Sequence, residues 1–67
     1  MIQLIVNGQP QELAGKGAVG DLLKQLGAAQ DRVALMVNDR VVKRASWGEI
    51  RLQNGDRVEV LAFAGGG

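Results

Sequence analysis

Apolar and polar positions alternate from the start of the chain. Ile2, Leu4 and Val6 are interleaved with Gln3 and Ile5, the two-residue period of a strand. Asn7-Gly8 follows, and both residues tolerate the positive φ of a type I′ turn. A hairpin is predicted, with Gln9 to Leu13 as the returning strand. Pro10 has no amide hydrogen to give to a ladder, so this strand belongs at a sheet edge. The period then changes. Val19, Leu22, Leu23 and Leu26 fall at i, i+3, i+4 and i+7, one apolar stripe on a short helix, with all four expected in the core. Gly27 is placed to end the helix in the left-handed conformation. Gly20 inside it costs about 1 kcal/mol against alanine, so tertiary packing has to hold the element.

Beyond the helix, Val33 to Val37 reads as a short apolar strand, Asn38-Asp39 as a turn, and Arg40 to Lys43 as another strand. Ser46 is a candidate cap for a single helical turn carrying Trp47, whose indole is expected to lid the core. Asn54-Gly55-Asp56 is a further tight turn before the last strand, Arg57 to Phe63. One amphipathic helix crossing one sheet predicts an α+β domain. With the first and last strands adjacent and parallel at the centre, the arrangement is the β-grasp, or ubiquitin-like, roll. It has a mixed five-stranded sheet over residues 1–63 and a Gly-rich tail over 64–67.

Composition narrows the functions open to such a domain. A chain of 67 residues buries only about 60% of the surface its unfolded form exposes, which leaves little room for a deep pocket. A net charge of +1, without a long run of either sign, is weak for a nucleic-acid binder. No apolar stretch approaches the roughly 20 residues that span a bilayer. Met1-Ile2-Gln3-Leu4 lacks the basic region of a signal peptide. A cytoplasmic monomer without nucleic-acid or membrane partners is the expectation. There is no cysteine, which excludes disulfides, thiolate metal sites and side-chain persulfides. There is no histidine, the commonest general base. No carboxylate pair has a catalytic spacing, so neither a metal site nor a general acid or base is assigned, and the chain is not expected to be an enzyme.

The one low-complexity segment is Gly65-Gly66-Gly67. It reads either as a solvated end or cloning linker, or, if the chain truly stops there, as a working part. Its position directly after a strand expected at the sheet centre favours the second reading.

Taken together, the sequence resembles the small sulfur-carrier proteins, most closely the thiamin-pathway carriers of the ThiS type. The resemblance covers essentially the whole chain. It rests on the opening strand and Asn7-Gly8, the Val19-to-Leu26 helix, Val37-Asn38, the Leu52-to-Asp56 turn and the end Phe63-Ala64-Gly65-Gly66-Gly67. The Gly-Asp turn and Gly-Gly end also occur in the molybdopterin synthase small subunit. The short length, the Asn-Gly turn and the lack of a proline pair before the tail favour the thiamin carrier.

The resemblance implies that a ubiquitin-activating-like adenylyltransferase adenylates the Gly67 carboxylate with ATP and magnesium, no cofactor being bound by the chain itself. It further implies that sulfur from a donor such as a cysteine desulfurase replaces AMP to give a thiocarboxylate. Thiazole synthase then takes that sulfur. The chemistry agrees. A carboxylate is ionised at neutral pH and is a poor electrophile until it carries a good leaving group. Gly65 and Gly66 have no side chains to obstruct a narrow channel. Other readings remain open: a carrier for molybdopterin synthase or tRNA thiolation, or a non-covalent β-grasp binding module with an inert tail.

Ordering such a tail loses about 1–2 kcal/mol of backbone entropy per residue, so docking of the folded body has to offset it. On the last strand Val58, Val60 and Ala62 share the core face, which points Leu61 and Phe63 outward. Ile5 and Met36 share that outer face, and the four apolar residues are the candidate docking patch. A bulge or edge packing that buries Phe63 is the alternative. Arg57 and Glu59 read as a solvated face or as the rim of the patch, and Lys43-Arg44 as a solvated turn.

Overall fold

The computed structural model describes residues 1–62, so the expectations placed on Phe63 and on Gly65, Gly66 and Gly67 lie outside the described residues. Strands β1 (Ile2–Val6) and β2 (Gln9–Leu13) precede helix α1 (Val19–Leu26). Strands β3 (Val33–Val37), β4 (Arg40–Val42) and β5 (Arg57–Ala62) follow it. They form one five-stranded sheet in the order β2-β1-β5-β3-β4. The central pair β1–β5 is parallel and every other pair is antiparallel. β2 lies at an edge, as Pro10 requires.

The turns follow from their residues. Asn7 and Gly8 adopt φ of 50° and 82°, and Asn38 and Asp39 adopt 51° and 68°, so both two-residue hairpins turn in the left-handed region. Gly27, at φ 72°, closes α1: its N–H donates to the Lys24 carbonyl and that of Ala28 to Leu23, satisfying two carbonyls that the helix end leaves free.

The core is the inner face of the sheet against α1. Leu4, Leu13, Val19, Leu22, Leu23, Leu35 and Val58 are all at most 1% exposed. No buried residue is polar or charged among those described. Leu26 departs from the expected stripe and remains 37% exposed. It is the last residue of an eight-residue helix, where the element ends and its cover ends with it.

Trp47 closes the core as expected, on a 3-10 segment, Arg44–Glu49, and its Nε1–H donates to the Val42 carbonyl at 3.0 Å. Ser46 does not cap that segment: it lies within it, Lys43 stands at its start, and no side chain caps it. A second short 3-10 turn, Gln30–Arg32, leads into β3 and has no signature in the apolar pattern.

Gly17 is fixed by two constraints at once. Its φ is 87°, and a Cβ there would collide with the Leu52 backbone carbonyl. That approach makes a hydrogen bond, the Leu52 N–H donating to the Gly17 carbonyl at 2.7 Å. The bond ties the loop before α1 to the segment that leads into β5.

Candidate functional site

Strand alternation sorts the sheet into two faces. On β5, Val58 is buried and Val60 half-buried, while Glu59 and Leu61 are exposed on the opposite face. The register places Leu61 across from Ala34, and Glu59 across from Met36. Met36 in turn faces Val41 on β4. Leu61 (49% exposed), Ala34, Met36 and Val41 (72% exposed) therefore form one apolar patch on the outer face, spread over three adjacent strands. Met36 is half-buried within it.

Two of the expected patch residues, Leu61 and Met36, are thus brought together. Ile5 is not part of the same cluster. It faces outward and is 37% exposed, but its partners are Pro10 on β2 and Arg57 on β5. Because β1 and β5 are parallel and Ile5 pairs with Arg57, Leu61 lies four residues further along β5. Arg57 and Glu59 occupy the outward positions between them. Ile5 instead lines a shallow groove of about 540 Å³ with Gln3, Pro10, Glu12 and Asn54. Arg57 also pairs with Asp39 at 2.8 Å, with both side chains more than half exposed, so the pair adds little stability.

Val41 and Ala34 complete the patch and were missed by the apolar pattern. The signal for Val41 was available: with Val42 turned to the core, its neighbour on a strand has to face out. A three-residue strand is too short for that alternation to stand out.

The end of β5 is held on both sides. Toward β3 it pairs as far as Ala62, opposite Val33. Toward β1 the ladder stops at Val6 opposite Val58, and the Asn7 N–H adds a bond to the Val58 carbonyl at 2.9 Å. The Asn7 side chain then carries the pairing further. Its Oδ1 accepts from the Val60 N–H at 2.9 Å, and its Nδ2 donates to the Val60 carbonyl at 3.4 Å. At the opposite end of the strand Asn38 does related work, its Oδ1 accepting from the Arg57 N–H at 2.9 Å and its Nδ2 donating to Asp56 at 3.0 Å. Asn54 accepts from the Gln3 N–H at 2.8 Å. Three asparagines that read from the sequence as turn formers also join the turns to strand edges.

Among the described residues no group of three or more Asp, Glu, His or Cys side chains could hold a metal ion. Among the same residues no helix is long and apolar enough to cross a membrane. The described residues offer an apolar surface beside the end of a central strand, and that strand leads into the glycine run.

A mixed five-stranded sheet with parallel central strands, folded over one helix, defines the class: a ubiquitin-like β-grasp protein. The chain belongs to the ThiS family, whose pattern matches residues 4–67. It is 32% identical over 66 residues to the sulfur carrier protein ThiS of Escherichia coli, covering 98% of this chain and 100% of that one. The crystal structure of a thiamine biosynthesis protein (ThiS) from Geobacter metallireducens superposes with a TM-score of 0.79 at 36% identity, covering 98% of this chain and 100% of that one. Two further relatives are thiazole synthases, from Magnetococcus marinus at 36% identity and Paramagnetospirillum magneticum at 32%, each over 98% of this chain. The chain spans only 20% of the length of either.

Proposed function

We propose that the chain is a sulfur carrier of thiamin biosynthesis, a protein cosubstrate that turns over without catalysing a reaction of its own. With Gly67 as the free end, its carboxylate attacks the α-phosphorus of ATP on an adenylyltransferase, releasing pyrophosphate and leaving an acyl-adenylate. Magnesium serves the partner. The terminal sulfur of a donor persulfide then attacks the acyl carbon, AMP departs, and a thiol reduces the resulting acyl disulfide to leave a thiocarboxylate. Thiazole synthase is the acceptor.

The observation that carries this reading is that the family pattern runs through residue 67, so the glycine run falls within the family's own pattern. The thiazole synthase relatives support the choice of acceptor, because a stretch similar to this chain occurs inside each of them. The patch of Leu61, Met36 and Val41 supports docking, since a partner that covers it holds the chain beside the strand from which the tail departs.

Intact mass tests the reading. After incubation with ATP, magnesium, the adenylyltransferase and a sulfur donor, the chain gains the mass difference between one sulfur and one oxygen. An alanine appended after Gly67 abolishes the gain. An unchanged mass in the natural protein overturns the proposal, as does a gain that persists after Gly67 is deleted. Capture of a molybdopterin synthase large subunit or a tRNA thiolase in place of thiazole synthase reassigns the acceptor.

A further inference from the structure

We infer that Asn7 is a positioning residue for the carrier reaction, acting through Val60 to hold the β1 side of the strand end from which the tail continues. The inference rests on the carrier reading and adds a residue to it. Parallel pairing of β1 and β5 directs the backbone groups of Val58 and Val60 toward β1. β1 ends at Val6, opposite Val58, two positions short of Val60. Without a substitute, the Val60 N–H and carbonyl would face solvent. The Asn7 carboxamide meets both, at 2.9 and 3.4 Å, as a further strand residue would. These are the last hydrogen bonds on that side of β5 among the described residues, two positions before Ala62.

The same residue needs φ of 50° to make the hairpin turn, and the side chain reaches β5 from that turn. Few side chains meet both demands. Glycine accepts the angle without supplying the amide, and aspartate supplies the acceptor without the donor. The hold matters because only Leu61 and Ala62 lie between Val60 and the end of the strand, so a shift on the order of an ångström there moves the root of the tail with it. Reaction at a positioned acyl group is sensitive to displacements of that size.

The test compares Asn7→Gly and Asn7→Asp with Asn54→Ala in the full chain. Asn54→Ala removes the asparagine-to-backbone bond at the opposite end of the sheet and is the control for a purely structural effect. Three quantities are read: amide exchange at Val60, affinity for the adenylyltransferase, and the rate of adenylation when the partner is saturated. Asn7→Gly is expected to speed Val60 exchange and slow adenylation, each on the order of tenfold, with affinity within about twofold of the natural chain. Asn7→Asp retains protection of the Val60 N–H and falls between the two in rate. Asn54→Ala leaves rate and affinity unchanged.

Unchanged Val60 exchange in Asn7→Gly overturns the inference, and so does an unchanged rate. A parallel loss of affinity and rate in both Asn7→Gly and Asn54→Ala also overturns it, because that is the signature of general loosening. Failure of the natural chain to be adenylated at all removes the carrier reading itself, and is distinguished by appearing before any variant is made.

Discussion

Gly17 illustrates how a single residue can be held by backbone geometry alone. Its left-handed φ excludes most side chains, and the Leu52 backbone occupies the space a Cβ would need. Either constraint costs about 1–3 kcal/mol when violated, and a hydrogen bond depends on the approach. Gly17→Ala is therefore expected to destabilise the fold by roughly 2–4 kcal/mol, read as a lowered midpoint in urea unfolding. Gly8 has a comparable φ of 82° with open space around it, so Gly8→Ala is expected to cost less, about 1 kcal/mol, in the same assay. Nothing in the local sequence separates these two glycines. Both precede polar or small residues near turns, and the difference lies in what approaches from 35 positions away.

At the scale of elements, α1 is held by its contacts more than by its intrinsic tendency. It has eight residues, one of them glycine, no side-chain cap, and a length below what stands alone in water. Its apolar stripe does the work unequally. Leu23 is fully buried and Leu26 is 37% exposed. Leu23→Ala is expected to cost about 2–5 kcal/mol and Leu26→Ala less than about 1 kcal/mol, measured by chemical unfolding monitored through Trp47 fluorescence. Equal losses would show that the stripe buries evenly, contrary to the packing. The 3.6-residue period was sufficient to find this helix and its face, and Gly27 marked its end. How far each leucine is covered depends on where the sheet beneath stops, which periodicity does not encode. The 3-10 segment around Trp47 was legible only as a turn with an indole to bury. The segment begins after Lys43 and encloses Ser46, and the indole N–H reaches back five residues to the Val42 carbonyl, so Ser46 is not at its start to cap it.

Among the described residues the outer face of the sheet carries two apolar regions, separated by the charged Arg57 and Glu59. On the carrier reading they should respond differently. Leu61→Arg and Val41→Arg are expected to lower kcat/KM for adenylation on the order of tenfold each, with unfolding stability changed by no more than about 0.5 kcal/mol. Ile5→Arg, beside Pro10 and away from the patch, is expected to change kcat/KM by less than about threefold. A loss with Ile5→Arg as large as that with Leu61→Arg would restore the single larger patch that alternation alone predicts.

Alternation, turn chemistry and the absence of cysteine and histidine determined much of this protein without any coordinates. Each is a local property: which face a residue takes, where φ turns positive, which side chains exist to react. The β-grasp order followed from those elements, and it holds. What tertiary structure decided was register. The offset of β5 against β1 sets Ile5 beside Arg57 and away from Leu61, and leaves the β1 side of Val60 without a strand partner, which Asn7 replaces. The pairing of β3 with β4 brings Val41 to Met36. Register arises from how two distant segments bury their apolar faces together, so no stretch of either segment records it alone.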